Sequence, residues 1–143
     1  MTFWDSSAVL PLVVEEARST ACRALRRAHP SIAVWALTRV EVASGIHRVA
    51  REGLIEQREV VSALARLNAM AHRWAEIGAV VQVRDRAERA LRVHPLTASD
   101  ALQLGAALLL VGERTKGRAF ITADDRLATA ALAEGFTVHV PTD

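Results

Sequence analysis

Short apolar runs alternate with longer helical patterns along the whole chain, and this alternation is the feature that most limits its fold. The predicted strands are TFW (2–4), SIAV (31–34), AVVQV (79–83), RAFIT (118–122) and FTVHV (136–140). The predicted helices are 7–28 (with Pro11 and Val14 as candidate break points), 38–52, 54–76, 84–92, 99–114 and 124–134. Strands separated by helices are typical of βαβ units, in which helices cover both faces of a parallel sheet. The sequence therefore predicts a three-layer α/β/α sandwich with a central parallel sheet of about five strands.

The size and composition indicate a globular protein. With 143 residues, 51% of them hydrophobic and 24% charged, residues 1–143 are expected to form a single domain. No uncharged apolar run reaches the roughly 18 residues of a transmembrane helix, and Asp5 and Glu15 interrupt any signal-peptide pattern. The single Cys22 excludes an internal disulfide and a multi-cysteine zinc site. These features favour a cytoplasmic protein.

Four acidic residues occupy similar places in the predicted elements. Asp5 ends the first strand, Glu41 and Asp100 lie just inside helix starts, and Asp124 follows the fourth strand. In a parallel sheet, helices that follow strands begin at the carboxyl edge, where the ligand sites of such folds lie. Carboxylates gathered at that edge repel one another, and a hard divalent cation such as Mg²⁺ or Mn²⁺ relieves the repulsion. We therefore predict that the four acids converge on a metal site.

Two alternatives remain open at this point. Each acid alone also fits a helix cap: Thr38 and Glu41, for example, have the capping-box spacing, and an acid in a first helical turn contributes about 0.3–1 kcal/mol. The chain could thus be a non-catalytic α/β interaction module. It could also be a haloacid-dehalogenase-like phosphatase, which likewise begins with a strand-end Asp but would need a second acid at the position of Ser7.

Four motifs, in this order along the chain, resemble the PIN domain and, within it, the VapC-type toxins of bacterial toxin–antitoxin pairs. They are FWDSSAVL (3–10), EVASGIHR (41–48), LTASDALQLGAAL (96–108) and FITADDRLATAALAEG (120–135). The resemblance implies a Mg²⁺- or Mn²⁺-dependent endoribonuclease that hydrolyses RNA phosphodiester bonds with a metal-activated water. It also implies a cognate antitoxin bound in an apolar groove around the helical hairpin 38–76, a surface that would equally suit a homodimer.

The same resemblance assigns roles to the acids. The catalytic acids would be Asp5, Glu41, Asp100 and Asp124. Asp5 and Asp100 are the expected direct ligands of the metal, whereas Glu41 and Asp124 would act through water or help to hold a second ion. Asp125 is adjacent to Asp124 and could replace it.

Hydroxyl and basic residues accompany these acids. Ser7 and Thr122 match small hydroxyl positions that support the acidic cluster in the family. Because a carboxylate pocket repels RNA, cationic side chains must flank it, and arginine binds phosphate bidentately. The arginines beside the motifs are therefore candidate RNA contacts: Arg39, Arg48 and Arg126.

Overall fold

The computed structural model describes residues 1–143 and contains five strands and seven helices. The strands are β1 (Thr2–Trp4), β2 (Ile32–Trp35), β3 (Ala75–Ile77), β4 (Ala119–Ile121) and β5 (Thr137–His139). The helices are α1 (Ser6–Val13), α2 (Ser19–Ala28), α3 (Thr38–Arg51), α4 (Gln57–Ala71), α5 (Val80–Leu91), α6 (Ala98–Leu110) and α7 (Asp125–Ala133). No helix combines the length and the apolar character that crossing a membrane requires.

All five strands form one parallel sheet in the order β3-β2-β1-β4-β5. Successive side chains of a strand point to opposite faces, so Phe3 packs in one apolar cluster and Trp4 in the other. Helices α5, α6 and α7 cover the face of Phe3, whereas α1, α3 and α4 cover the face of Trp4. Burial on both faces explains why β1 and β2, apart from Thr2, consist of apolar residues. The predicted α/β/α sandwich is confirmed.

The position predicted for the third strand is wrong. Residues 79–83 begin α5 instead, and β3 is the preceding segment Ala75–Ile77, which pairs with β2. This strand lies at an edge of the sheet and is only partly buried, so it lacks the apolar run that marks the inner strands. In α5 the buried residues Val83, Ala87 and Ala90 follow the helical period. The helix predicted over 54–76 consequently ends at Ala71.

Two further features set the position of helices near the carboxyl edge of the sheet. The helix predicted over 7–28 divides at Val14, the C-cap of α1, while Pro11 remains inside α1. Helices α5 and α6 approach closely at Gly105, where an added Cβ would lie 2.9 Å from the carbonyl oxygen of Val83. The first turn of α6 contains Asp100, so the helix that packs closely against α5 is also the one that carries this acid.

Candidate functional site

The four predicted acids meet at the carboxyl edge of the sheet. The strand order changes direction at β1, which has β2 on one side and β4 on the other. Asp5 directly follows β1 and is the N-cap of α1, while Asp124 follows β4 and is the N-cap of α7. Glu41 and Asp100 lie in the first turns of α3 and α6. A crevice at such a switch point is where α/β folds of this kind bind ligands.

Asp5 is a buried carboxylate whose hydrogen bonds fall mainly on one of its two oxygens. Its Oδ2 accepts from the Ser7 amide at 3.3 Å, from the Ser7 hydroxyl, and from the Thr122 hydroxyl at 2.9 Å. Burial nevertheless raises the pKa of Asp5, since the hydrogen bonds offset the loss of water only in part. Its Oδ1 has a single long contact, 3.4 Å from the Ser6 hydroxyl. That oxygen therefore retains lone pairs for a further ligand.

The hydroxyls of Ser7 and Thr122 join the two loops that present the acids. Ser7 Oγ accepts from the amide of Ala123 at 2.9 Å, and Thr122 Oγ1 accepts from the amide of Asp124 at 3.0 Å. Both hydroxyls also donate to Asp5. The turn after β1 and the turn after β4 are thus cross-linked through two small side chains, as expected for supporting residues.

Glu41 is half-buried and has a hydrogen-bond donor on each oxygen. The Ser6 hydroxyl donates to Oε2 at 3.0 Å, and the Gln103 side-chain amide donates to Oε1 at 3.1 Å. Burial raises the pKa of Glu41, and the charges of Asp5 and Asp100 raise it further. Sequence reasoning missed both donors. For Gln103 a signal was present, because it lies one helical turn after Asp100 and therefore on the same side of α6.

Asp100 and Asp124 complete the cluster. Burial, the charge of Asp124 and the charge of Asp5 together raise the pKa of Asp100 to about 6. Asp124 Oδ1 accepts from the Leu127 amide at 2.8 Å, so this acid caps α7 while its charge acts on Asp100. Its neighbour Asp125 is exposed and is not among the charges that act on Asp100. The structure brings Asp124, and not Asp125, to the other acids.

The donor set suits a hard divalent cation. It consists of carboxylate and hydroxyl oxygens. Burial is the main cause of the raised pKa values of Glu41 and Asp100, and the charges of neighbouring carboxylates add to it. As placed, no three of these side chains lie close enough together to enclose an ion directly. Mg²⁺ retains several water molecules and needs only one or two direct carboxylates. An arrangement with Asp5 and Asp100 as direct ligands, and the other acids reached through water, fits this chemistry.

The three candidate arginines occupy different surroundings. A cleft of about 470 Å³ opens beside the acids, and Arg48 lines it together with Glu41 and several serines. Arg39 instead donates to Asn68 Oδ1 on α4 at 2.9 Å. Arg126 is exposed in the first turn of α7. Only Arg48 shares the cleft with one of the acids.

Comparison with known proteins agrees with this geometry. The family model of the PIN domain matches residues 2–132. Four chains of solved structures match, among them one described as a toxin-antitoxin complex from Klebsiella pneumoniae. That chain has a TM-score of 0.68 and 16% sequence identity, with 100% of this chain and 99% of that chain covered, and it shows the shared fold. No curated protein matches. The chain belongs to the PIN domain family.

Proposed function

We propose that this protein is a Mg²⁺- or Mn²⁺-dependent endoribonuclease and the toxin of a toxin–antitoxin pair. One observation supports the activity above all: within a PIN fold, four carboxylates from separate segments meet at the switch point of the sheet. PIN domains are generally nucleases. The structural neighbour from a toxin–antitoxin complex supports the biological role.

The proposed roles follow from the hydrogen bonds of each acid. Asp5, through Oδ1, which carries only the long contact from Ser6, and Asp100 would hold the cation directly. When bound, the cation would act as a Lewis acid and lower the pKa of a coordinated water. Glu41, held on both oxygens, would orient the attacking water, and Asp124, at the start of α7, would contact the cation through water. The expected products carry 3′-hydroxyl and 5′-phosphate ends.

A cleavage assay with purified protein tests this function. Single-stranded RNA incubated with the protein and Mn²⁺ should be cut internally, and EDTA should stop the reaction. Hydrolysis of small phosphate monoesters without RNA cleavage would favour the phosphatase alternative, in spite of the serine at position 7. If the protein shows neither activity and Mn²⁺ leaves its thermal midpoint unchanged, the non-catalytic interaction module becomes the better explanation.

Arg48 is proposed to bind a phosphate of the RNA beside the scissile one. Truncation of Arg48 to Ala should raise KM for RNA about tenfold, equivalent to roughly 1.4 kcal/mol, with little change in kcat. Arg39→Ala is the matched control, because Arg39 lies on the same helix but bonds to Asn68. Equal effects of the two substitutions on KM would show that Arg48 affects RNA binding only through the overall charge of the protein, and not through a specific phosphate contact.

The proposed antitoxin site lies at the far end of α1 from the acids. Most apolar residues of the hairpin 38–76 pack in the core, including Val42 and Val60. A groove beside α4 remains, where Leu12, Ala69 and Met70 form an apolar floor. Its rim consists of Arg26, Arg66 and Arg73, none of which forms an ion pair with an acid. An antitoxin segment that combines apolar side chains with carboxylates would complement this groove.

Expression in cells tests the partner. Expression of this chain alone should arrest growth, and co-expression of the protein encoded by the adjacent reading frame should restore it. Reversal of charge with Arg73→Glu should leave the arrest intact and prevent the rescue, because Arg73 is an exposed residue of the groove. Rescue of the Arg73→Glu variant as complete as that of the wild type would place the antitoxin elsewhere.

A further inference from the structure

Gln103 is a fully buried polar side chain to which the proposed mechanism assigns no role. Its amide nitrogen lies 3.1 Å from Glu41 Oε1 and 3.2 Å from Thr38 Oγ1, and it donates to both. Thr38 is itself fully buried at the start of α3. Both hydrogens of the amide are thus directed to α3, although Gln103 lies on α6. The contact joins the helix that carries Asp100 to the helix that carries Glu41.

Without this contact, repulsion would favour side-chain conformations in which Glu41 points away from the other acids. Its side chain is long and half-exposed, and the charges of Asp5 and Asp100 oppose its ionised form. Ser6 and Gln103 are the two donors that hold it, one on each carboxylate oxygen. Gln103 is neutral, so it orients Glu41 without neutralising it. A lysine or arginine in its place would form an ion pair that competes with a cation for the same carboxylate.

We propose that Gln103 is a positioning residue, which holds Glu41 towards the other acids and so preorganises the set of carboxylates for a divalent cation. The inference rests on the proposed function, because its effect is exerted through the proposed metal site. Replacement of residues that hydrogen-bond to direct metal ligands commonly lowers metal affinity or activity by about 10–100-fold. Because Glu41 would contact the cation through water, we expect an effect at the lower end of this range.

Binding of Mn²⁺ in the absence of RNA tests the inference. Gln103→Met keeps the length of the side chain and removes the donor. It should weaken the affinity for Mn²⁺ about tenfold, measured by calorimetry and by the rise of the thermal midpoint with Mn²⁺ concentration. In a Glu41→Ala background the same substitution should have no further effect, since no carboxylate remains to be positioned. Additive losses in the double variant, or an affinity equal to that of the wild type, would overturn the proposal.

Two controls keep the result clear. Should Gln103→Met fail to fold in EDTA, Gln103→Asn replaces it, because this shorter amide remains polar but cannot span the same distance to Glu41. The wild-type protein separates this inference from the proposed function. A wild type that neither binds Mn²⁺ nor cuts RNA refutes both, whereas an active wild type with unchanged affinity in the Gln103 variants refutes the positioning role alone.

Discussion

Replacement of Asp5 by Asn is expected to reduce RNA cleavage by roughly 10³-fold or more. Asp5 is the most buried of the four acids, and its Oδ1 has only one long hydrogen bond and can still bind a cation. The loss of a metal ligand removes several kcal/mol of transition-state stabilisation, and each 1.36 kcal/mol is a tenfold change in rate. A gel assay of RNA cleavage with saturating Mn²⁺ measures the effect. The same assay with Asp125→Asn, at the exposed neighbour of Asp124, is the control and should show nearly wild-type cleavage.

The apo protein with Asn at position 5 should be at least as stable as the wild type at pH 7.5. Burial raises the pKa of Asp5, which means that the folded state disfavours the ionised form. Asn removes that charge, remains a good N-cap for α1, and still offers an oxygen to Ser7 and Thr122. Thermal unfolding in EDTA measures this stability. Unfolding of the variant well below the wild-type midpoint would mean that Asp5 is chiefly a structural cap.

The acids were predictable because their positions depend on chain connectivity. A residue that follows an inner parallel strand must lie at the carboxyl edge, so Asp5 and Asp124 could be placed once β1 and β4 were recognised. The choice between Asp124 and Asp125 needed coordinates, since adjacent residues at a helix start point in different directions. The edge strand β3 was misplaced for a related reason: its partial burial leaves no apolar run in the sequence.

Contacts between side chains of distant segments were not predictable in the same way. Ser6 and Gln103 both donate to Glu41. The helical period places Gln103 on the Asp100 side of α6, but the local sequence of neither donor specifies that its partner is Glu41. The helical period alone could have shown which arginine of α3 lies on the same face as Glu41. Arg48 lies seven residues after Glu41 and hence on the same face, whereas Arg39 lies two residues before it and on the opposite face. The structure has this arrangement.

The stability of the apo protein should fall as pH rises from about 4 to about 6 through the contribution of Asp100. The pKa of Asp100 is raised from 3.8 to about 6 by burial and by the charges of Asp124 and Asp5. An acid with a raised pKa binds its proton more tightly in the folded state. Its stabilising contribution is therefore complete below pH 3.8 and is lost as pH rises through the folded value. Because Asp100 is partly exposed, solvent screening limits the loss to about 1–2 kcal/mol.

Comparison with Asp100→Asn isolates this contribution from that of other groups. Burial and the neighbouring His29 lower the pKa of His139. This shift makes stability rise with pH near neutrality, which is opposite to the effect of Asp100. Because His139 is present in both proteins, its contribution cancels in the difference between their free energies of unfolding. In EDTA the Asn variant should match the wild type at pH 4 and be more stable by about 1–2 kcal/mol at pH 7.5, as measured by urea unfolding.

Addition of Mn²⁺ should reverse the order of the two proteins. A cation binds the ionised carboxylates, so its affinity rises with pH over the same interval in which the apo protein loses stability. A concentration of 100 times Kd would add about 2.7 kcal/mol to the wild type, more than the loss caused by burial of the Asp100 charge and by repulsion from Asp124 and Asp5. The Asn variant, which lacks one direct ligand, should gain much less. If Mn²⁺ stabilises both proteins equally at pH 7.5, Asp100 is not a ligand, and the repulsion among the acids must serve a purpose other than holding a metal.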